Sequence, residues 1–213
     1  MQFFDHKKID LYKFHLNDPK FDHNYNIFIS ELFDNDNNLI NIKSSSLRLL
    51  NVKNNILNTE LLYSSTEFYE FINKLDEHVK NEIIKNGSRW FGNNLNTDTI
   101  NNMFKRSVFL PDRLPGFPTF IFEINDETKI INKRKKISID NLHNNMELEI
   151  SFIINGVYFF KNKCNLIYTT KEIKVINDMC QTIESLFEDS DNEECSPNNT
   201  ESEINDVISS TFE

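Results

Sequence analysis

The residues with chemistry to offer are aromatics and bases set side by side: Arg89-Trp90-Phe91, Phe104-Lys105-Arg106, Arg113, Lys133-Arg134-Lys135-Lys136 and Tyr158-Phe159-Phe160-Lys161-Asn162-Lys163. Rings provide faces on which nucleic-acid bases stack, worth about 1–3 kcal/mol per base, and cations along a groove take the phosphates. Within a strand Tyr158 and Phe160 share one face and Phe159 takes the other, so one set can stack bases while the other packs inside. Each cluster also has a plainer reading. Aromatics are commonly core, a short basic run is commonly a solvated loop, and Trp90 with Phe91 can plug a core beneath a helix.

Nothing in the chain resembles a catalytic centre. His6, His15, His23, His78 and His143 stand apart, with no pair at metal-ligand spacing beside a carboxylate, and there is no glycine-rich phosphate loop or nucleophile elbow. Asp5, Asp10 and Asp22 read as solvating acids. Cys164, Cys180 and Cys195 are too few and too scattered for a disulfide framework or a zinc site. The expectation is a non-enzymatic protein with no catalytic residue, no metal and no cofactor.

The elements that must position the clusters are strands around one helical segment. Ser64-Ser65-Thr66-Glu67 fits a capping box, and Phe68, Phe71, Ile72, Leu75, Val79 and Ile83 then recur at helical spacing, with Glu70, Lys74, Glu77, Lys80 and Lys85 left to water. Gly87 is the expected left-handed stop. Asn96 or Thr97 can cap a second, short helix carrying Ile100, Met103 and Phe104, and Pro111, Pro115 and Pro118 forbid its continuation.

The remainder reads as β. Leu11–Leu16 is a first strand, Tyr25–Phe33 and Leu39–Lys43 form a hairpin across Asp34–Asn38, and Ser46–Lys53 follows, with Ile56–Tyr63 apolar but of open state. Phe117–Ile124 alternates, the basic run 133–136 borders a strand, and Asn155-Gly156 between two apolar runs is a strong hairpin signal. Cys164–Tyr168 and Glu172–Ile176 complete a meander, and Asp178–Phe187 can form a short helix. The fold class is mainly β: an antiparallel barrel or sandwich with a helical insert over 64–110, the domain spanning 1–183.

Ten of the 33 acids lie from Glu184 onward and no Lys or Arg follows Lys174, so the rest of the chain balances 23 acids against 23 bases. The formal charge of −10 therefore belongs to the segment 184–213, which is poor in core-formers and reads as a disordered acidic tail. A neutral body can still present a basic groove. Tethered carboxylates compete with phosphate for such a groove, and their release would free the tail for other proteins. Ile204, Val207, Ile208 and Phe212, spaced among acids, suit docking on a partner. No apolar run approaches the ~20 residues that span a bilayer, and Met1–His6 lacks a signal-peptide pattern, so no membrane association and a soluble intracellular protein are expected.

The order of these pieces resembles proteins of the nucleocytoplasmic large DNA viruses: a long helix ending in Lys85-Asn86-Gly87-Ser88-Arg89-Trp90-Phe91-Gly92, a short helix to Phe104-Lys105-Arg106-Ser107-Val108, then Phe117-Pro118-Thr119 and Asn155-Gly156-Val157-Tyr158-Phe159. These look like relatives of the replicative single-stranded DNA-binding proteins of tailed (T-odd) phages, which have an OB fold with a helical insert and an acidic tail ending in an aromatic residue. The resemblance covers roughly Phe68 to Ile176 and the character of the tail. Tyr158 stands where the pattern suggests tryptophan, and Phe212 is penultimate.

The resemblance implies an OB-like barrel that coats single-stranded DNA without base specificity in viral replication or recombination, located in the host nucleus or a cytoplasmic viral factory. Arg89, Lys105, Arg106, Lys133, Arg134, Lys135, Lys136, Lys161 and Lys163 would take phosphates, while Trp90, Tyr158 and Phe160 would stack. The tail, through Glu193, Glu194, Glu201, Glu203, Asp206 and Phe212, would screen the groove and recruit a polymerase, helicase or primase; a homodimer is compatible. Two alternatives stay open. One is a non-enzymatic β-rich virion or interaction module with an acidic docking tail, and the other is RNA binding by the same groove physics.

Overall fold

The computed structural model describes residues 3–92, 96–111 and 116–177. In chain order these form β1 (Phe4–Asp5), β2 (His15–Leu16), β3 (Lys20–Asp22), β4 (Ile27–Phe33), β5 (Ile40–Lys43), β6 (Leu47–Lys53), β7 (Ile56–Glu60), α1 (Thr66–Phe91), α2 (Thr97–Met103), β8 (Val108–Phe109), β9 (Thr119–Glu123), β10 (Lys129–Asn132), β11 (Lys135–Lys136), β12 (Glu147–Phe160) and β13 (Lys163–Asn177). The architecture is mainly β, with a helical segment dominated by one long helix inserted between β7 and β8. The main path of the sheet is β11-β10-β13-β12-β6-β7-β9-β8, and β4 and β5 lie alongside the two halves of β12. Most pairs are antiparallel as expected, but β1 with β5 and β10 with β13 are parallel.

The apolar stripe of α1 is the one the spacing predicts: Phe68, Phe71, Ile72, Leu75, Val79 and Ile83 are all buried. Phe68 meets Phe120 of β9 and Phe152 of β12, and Phe120 and Phe152 both meet Tyr168 of β13, so the curled sheet closes around aromatic rings beneath the helix. Ile56–Glu60, whose state the sequence left open, is a strand. It pairs with β6 through the two-residue turn Asn54-Asn55, both at positive φ, as tight hairpin turns require.

Several local expectations are corrected. Gly87 does not stop α1. It is buried on the packed face, and the helix runs 26 residues to Gly92, whose φ of 77° is the left-handed exit and whose N–H bonds the Ser88 carbonyl. The capping box does not form: Ser65 sits at the N-cap and gives its hydroxyl to the Ser46 carbonyl, and Glu67 pairs with Lys7. Leu11–Lys13 is a single 3₁₀ turn, leaving only His15 and Leu16 as strand.

Asn155-Gly156 is not a hairpin turn. β12 runs unbroken for 14 residues, and the chain reverses at Lys161-Asn162, where Lys161 takes the positive φ. The glycine answers a different need. Gly156 has φ 146° in a bulged stretch of β12, where a Cβ would strike the Ser30 carbonyl oxygen and lie 2.8 Å from the Glu31 Cα. The expected helix over Asp178–Phe187 and the acidic tail lie outside the described residues. Among those described, no helix is long and apolar enough to cross a membrane.

Candidate nucleic-acid interface

The β12–β13 hairpin sets the frame. Because side chains alternate, the register places Tyr158 beside Asn165 on β13 and beside Ile29 on β4, and one step further out it places Phe160 beside Lys163. Ile27 and Ile29 therefore share the face of Tyr158, while Phe28 and Phe159 share the other. Across from this face stand Phe109 of β8 and Ile121 and Glu123 of β9. The two walls enclose a groove of about 590 Å³, lined also by Tyr25, Ile167 and Tyr168, with Arg106 and Ser107 at its side. Tyr25 is 73% exposed, Phe109 52% and Ile121 38%, an apolar and aromatic lining open to water.

The residues singled out by sequence fall into separate places. Arg106 and Tyr158 line the groove, and Phe160, Lys161 and Lys163 continue its β12–β13 wall at the hairpin tip, where the Lys161 Nζ lies 5.0 Å from the Phe160 ring centroid. Lys105 is exposed next to Arg106, and its backbone N–H bonds the Cys164 carbonyl. Arg89 and Trp90 sit elsewhere: both donate to the same Asp18 carboxylate oxygen, at 2.5 and 2.8 Å, and the indole packs against Phe91 and Phe159, on the side of β12 opposite Tyr158. Lys133 and Arg134, both at positive φ, form the β10–β11 turn, and Lys135 and Lys136 are β11. β10 follows β13 to Val175, seven residues or roughly 23 Å beyond Tyr168. The tail residues Glu193, Glu194, Glu201, Glu203, Asp206 and Phe212 lie outside the described residues.

Residues 47–189 match the profile of a family of unknown function, DUF5871. The chain belongs to that family. No curated protein matches the sequence. Among solved structures, the single-stranded DNA-binding protein from bacteriophage Enc34 is similar at 10% identity and a TM-score of 0.46, over 76% of this chain and 90% of that one. The single-stranded DNA-binding protein gp2.5 encoded by bacteriophage T7 is similar at 9% identity and a TM-score of 0.47, over 65% of this chain and 86% of that one.

Beneath the groove this DUF5871 member carries a polar cluster that sequence reading missed. Asp76 of α1, 1% exposed, accepts from the Ser107 N–H at 2.8 Å and from the Ser107 hydroxyl at 2.6 Å. The Ser107 hydroxyl in turn lies 2.6 Å from the Tyr168 hydroxyl. Burial pushes the Asp76 carboxyl up to about 6, against the opposing pull of the Ser107 bonds and Arg106. Burial, with the Asp76 charge, also holds Tyr168 well above its ordinary value. Arg106 itself binds Glu77 at 2.6 Å and reaches Asn73 at 3.4 Å. Next to this cluster the Cys164 thiol is pushed up to about 12 by burial, which leaves it unreactive. Among the described residues no group of three His, Cys, Asp or Glu could hold a metal.

The missed groove residues had faint signals. Tyr25, Ile27 and Ile29 alternate with Phe28 inside a recognised strand, and Phe109 sits in the apolar run Val108-Phe109-Leu110 just before a proline. Asp76 stands on the apolar stripe of α1 between Ile72 and Val79, and a charge there signals an internal partner.

Proposed function

We propose that this chain binds single-stranded DNA without base specificity, in replication or recombination, and that the groove between the β4–β12–β13 wall and the β8–β9 wall is the DNA path. The observation that carries this reading is the pair of opposed walls bearing flat rings, the exposed Tyr25 and half-buried Tyr158 on one side and the exposed Phe109 on the other, over an isoleucine floor. Rings that face water in a concave surface serve no core, and base stacking uses them regardless of sequence. The few polar groups in the lining suit such sequence tolerance. Arg106 and the exposed Lys105, Lys161 and Lys163 supply phosphate contacts near the same ends of β8 and β13, while Glu123 keeps the backbone path away from β9.

The acidic tail from Glu184 would compete with phosphate at these cations and, once displaced, engage replication proteins. The tail's charge and the neutrality of the body support this role. A viral setting rests on the sequence motifs.

Fluorescence anisotropy with a labelled oligothymidylate tests the reading. Binding should weaken with salt by about 0.7 log unit of affinity per phosphate contact per log unit of salt. Substituting Tyr158→Ala should weaken it further at every salt concentration. Absence of binding, or binding indifferent to Tyr158, refutes the groove. A chain ending at Leu186 should bind more tightly than the full chain, and equal affinity refutes the screening role. Competition by an RNA strand of the same sequence separates DNA from RNA preference.

A further inference from the structure

A charge on the buried stripe of a core helix is a poor choice for stability alone, because an ionised carboxylate is costly to remove from water. Asp76 occupies such a place, and all of its described hydrogen bonds go to one residue outside the helix. Three successive residues after α2 are tied down. Lys105 donates its N–H to the Cys164 carbonyl at 2.8 Å, Arg106 holds Glu77 and Asn73, and Ser107 gives both its N–H and its hydroxyl to Asp76. Two residues later Phe109 stands in the groove wall. With the Ser107 proton committed to the carboxylate, the Tyr168 hydroxyl must donate to the Ser107 oxygen, which gives the chain of bonds a direction, from the groove inward.

We propose that Asp76 is a positioning residue for the groove, holding Ser107 and Tyr168, and with them Arg106 and Phe109, in the arrangement that receives single-stranded DNA. The proposal rests on the functional reading above. A protonated Asp76 cannot accept from both Ser107 groups. Its own proton must go to the Ser107 oxygen, the Ser107 hydroxyl must turn to Tyr168, and the Tyr168 proton is left to point into the groove.

The groups facing Asp76 leave it as the one that changes charge in the neutral to mildly acidic range. Glu77 on its own helix is held below the ordinary carboxylate range, chiefly by Lys80 and also by Arg106. Arg106, from the α2–β8 segment, is paired with Glu77. Tyr168, from β13, stays protonated. Asp76 itself titrates at about 6.

The substitution Asp76→Asn fixes the reversed chain at every pH, since the amide NH₂ can only donate to the Ser107 oxygen. Oligothymidylate affinity and backbone hydrogen exchange of residues 105–109 are measured for both proteins from about pH 5 to about pH 8. At the upper pH Asp76→Asn should bind roughly tenfold or more weakly than the wild type, the loss expected for charge-assisted bonds, and its 105–109 amides should exchange correspondingly faster. Near pH 5 the two proteins should converge in both readouts. Equal affinity at the upper pH, or a difference that persists at pH 5, overturns the proposal. Ser107→Ala, which removes the hydroxyl relay while leaving the carboxylate, should reproduce the weaker binding at the upper pH. A wild type that binds no oligonucleotide sinks the functional reading, whereas unchanged exchange in the Asn variant sinks the anchor itself.

Discussion

The sharpest perturbation of the groove is Phe109→Ala. Phe109 lies on the two-residue strand β8 and is 52% exposed, so truncating it removes little that holds the free protein together. A phenylalanine side chain can bury on the order of 200 Å², and about half of that is available for a base to cover. At ~25 cal/mol per Å² this gives an upper bound near 2.5 kcal/mol, inside the ~1–3 kcal/mol measured for base–aromatic stacking by alanine substitution. Allowing for imperfect overlap, the expected loss is about 1–2.5 kcal/mol, or roughly 5- to 70-fold in affinity. Anisotropy titration at a single low salt concentration reads this directly, with thermal unfolding run in parallel to verify an intact fold. Phe4→Ala is the matched control: Phe4 is 48% exposed but lies on β1, beside β5 and outside the groove lining. It should change affinity by no more than about twofold, the ordinary range for a surface substitution. If Phe109→Ala binds like the wild type, or if Phe4→Ala loses as much, the binding surface has been misplaced.

Gly156→Ala should destabilise the protein by about 2–6 kcal/mol, combining a disfavoured positive φ with a collision against β4, and chemical denaturation would show the shift; a loss under about 1 kcal/mol refutes the close approach. Folding stability should also carry an inverted pH signature from Asp76. Its folded pKa of about 6 lies above the ~3.9 of the unfolded chain, so the folded state holds the extra proton between them. Stability from this group is full below about pH 4 and is lost as pH rises to about 6, by ~3 kcal/mol; urea titrations of wild type and Asp76→Asn across that window should differ by this slope. Finally, Trp90 fluorescence should respond strongly to Asp18→Ala, which removes the indole's hydrogen-bond acceptor, and little to oligonucleotide, because the ring faces away from the groove. Strong quenching by single-stranded DNA alone would place the DNA on the α1 side of β12.

Period and punctuation made much of this fold legible. The α1 stripe from Phe68 to Ile83 needed only helical spacing, whereas the hairpin expected across Asp34–Asn38 does not form: β4 and β5 share only the Phe33–Leu39 bridge and both run antiparallel to β12, end to end along it. Errors arose where a distant strand decided a local conformation. Asn155-Gly156 has the composition of a tight turn, yet Gly156 is a bulge residue because the backbone of Ser30 and Glu31 lies against it, more than a hundred positions away in the chain. Gly87 looked like a stop, but with no Cβ it fits the packed face, and its helix continues until Trp90 and Phe91 reach Phe159.

The groove was half legible for the same reason. Alternation assigns Tyr158 and Phe159 to opposite faces, and α1 then claims the Phe159 side through Trp90 and Phe91, leaving Tyr158 its own side. No local pattern indicates that β8 and β9 curl around to face that side, which makes Phe109 and Ile121 partners of Tyr158 instead of isolated exposed residues. Asp76 shows the converse. A carboxylate on an otherwise apolar helix stripe can be seen in the sequence, and the demand it makes for a buried donor is general, but only the fold supplies Ser107 as that donor and Tyr168 beyond it. The chemistry of a single-strand groove is thus carried by residue types that sequence can recognise, while its location depends on which faces the closure of the sheet brings together.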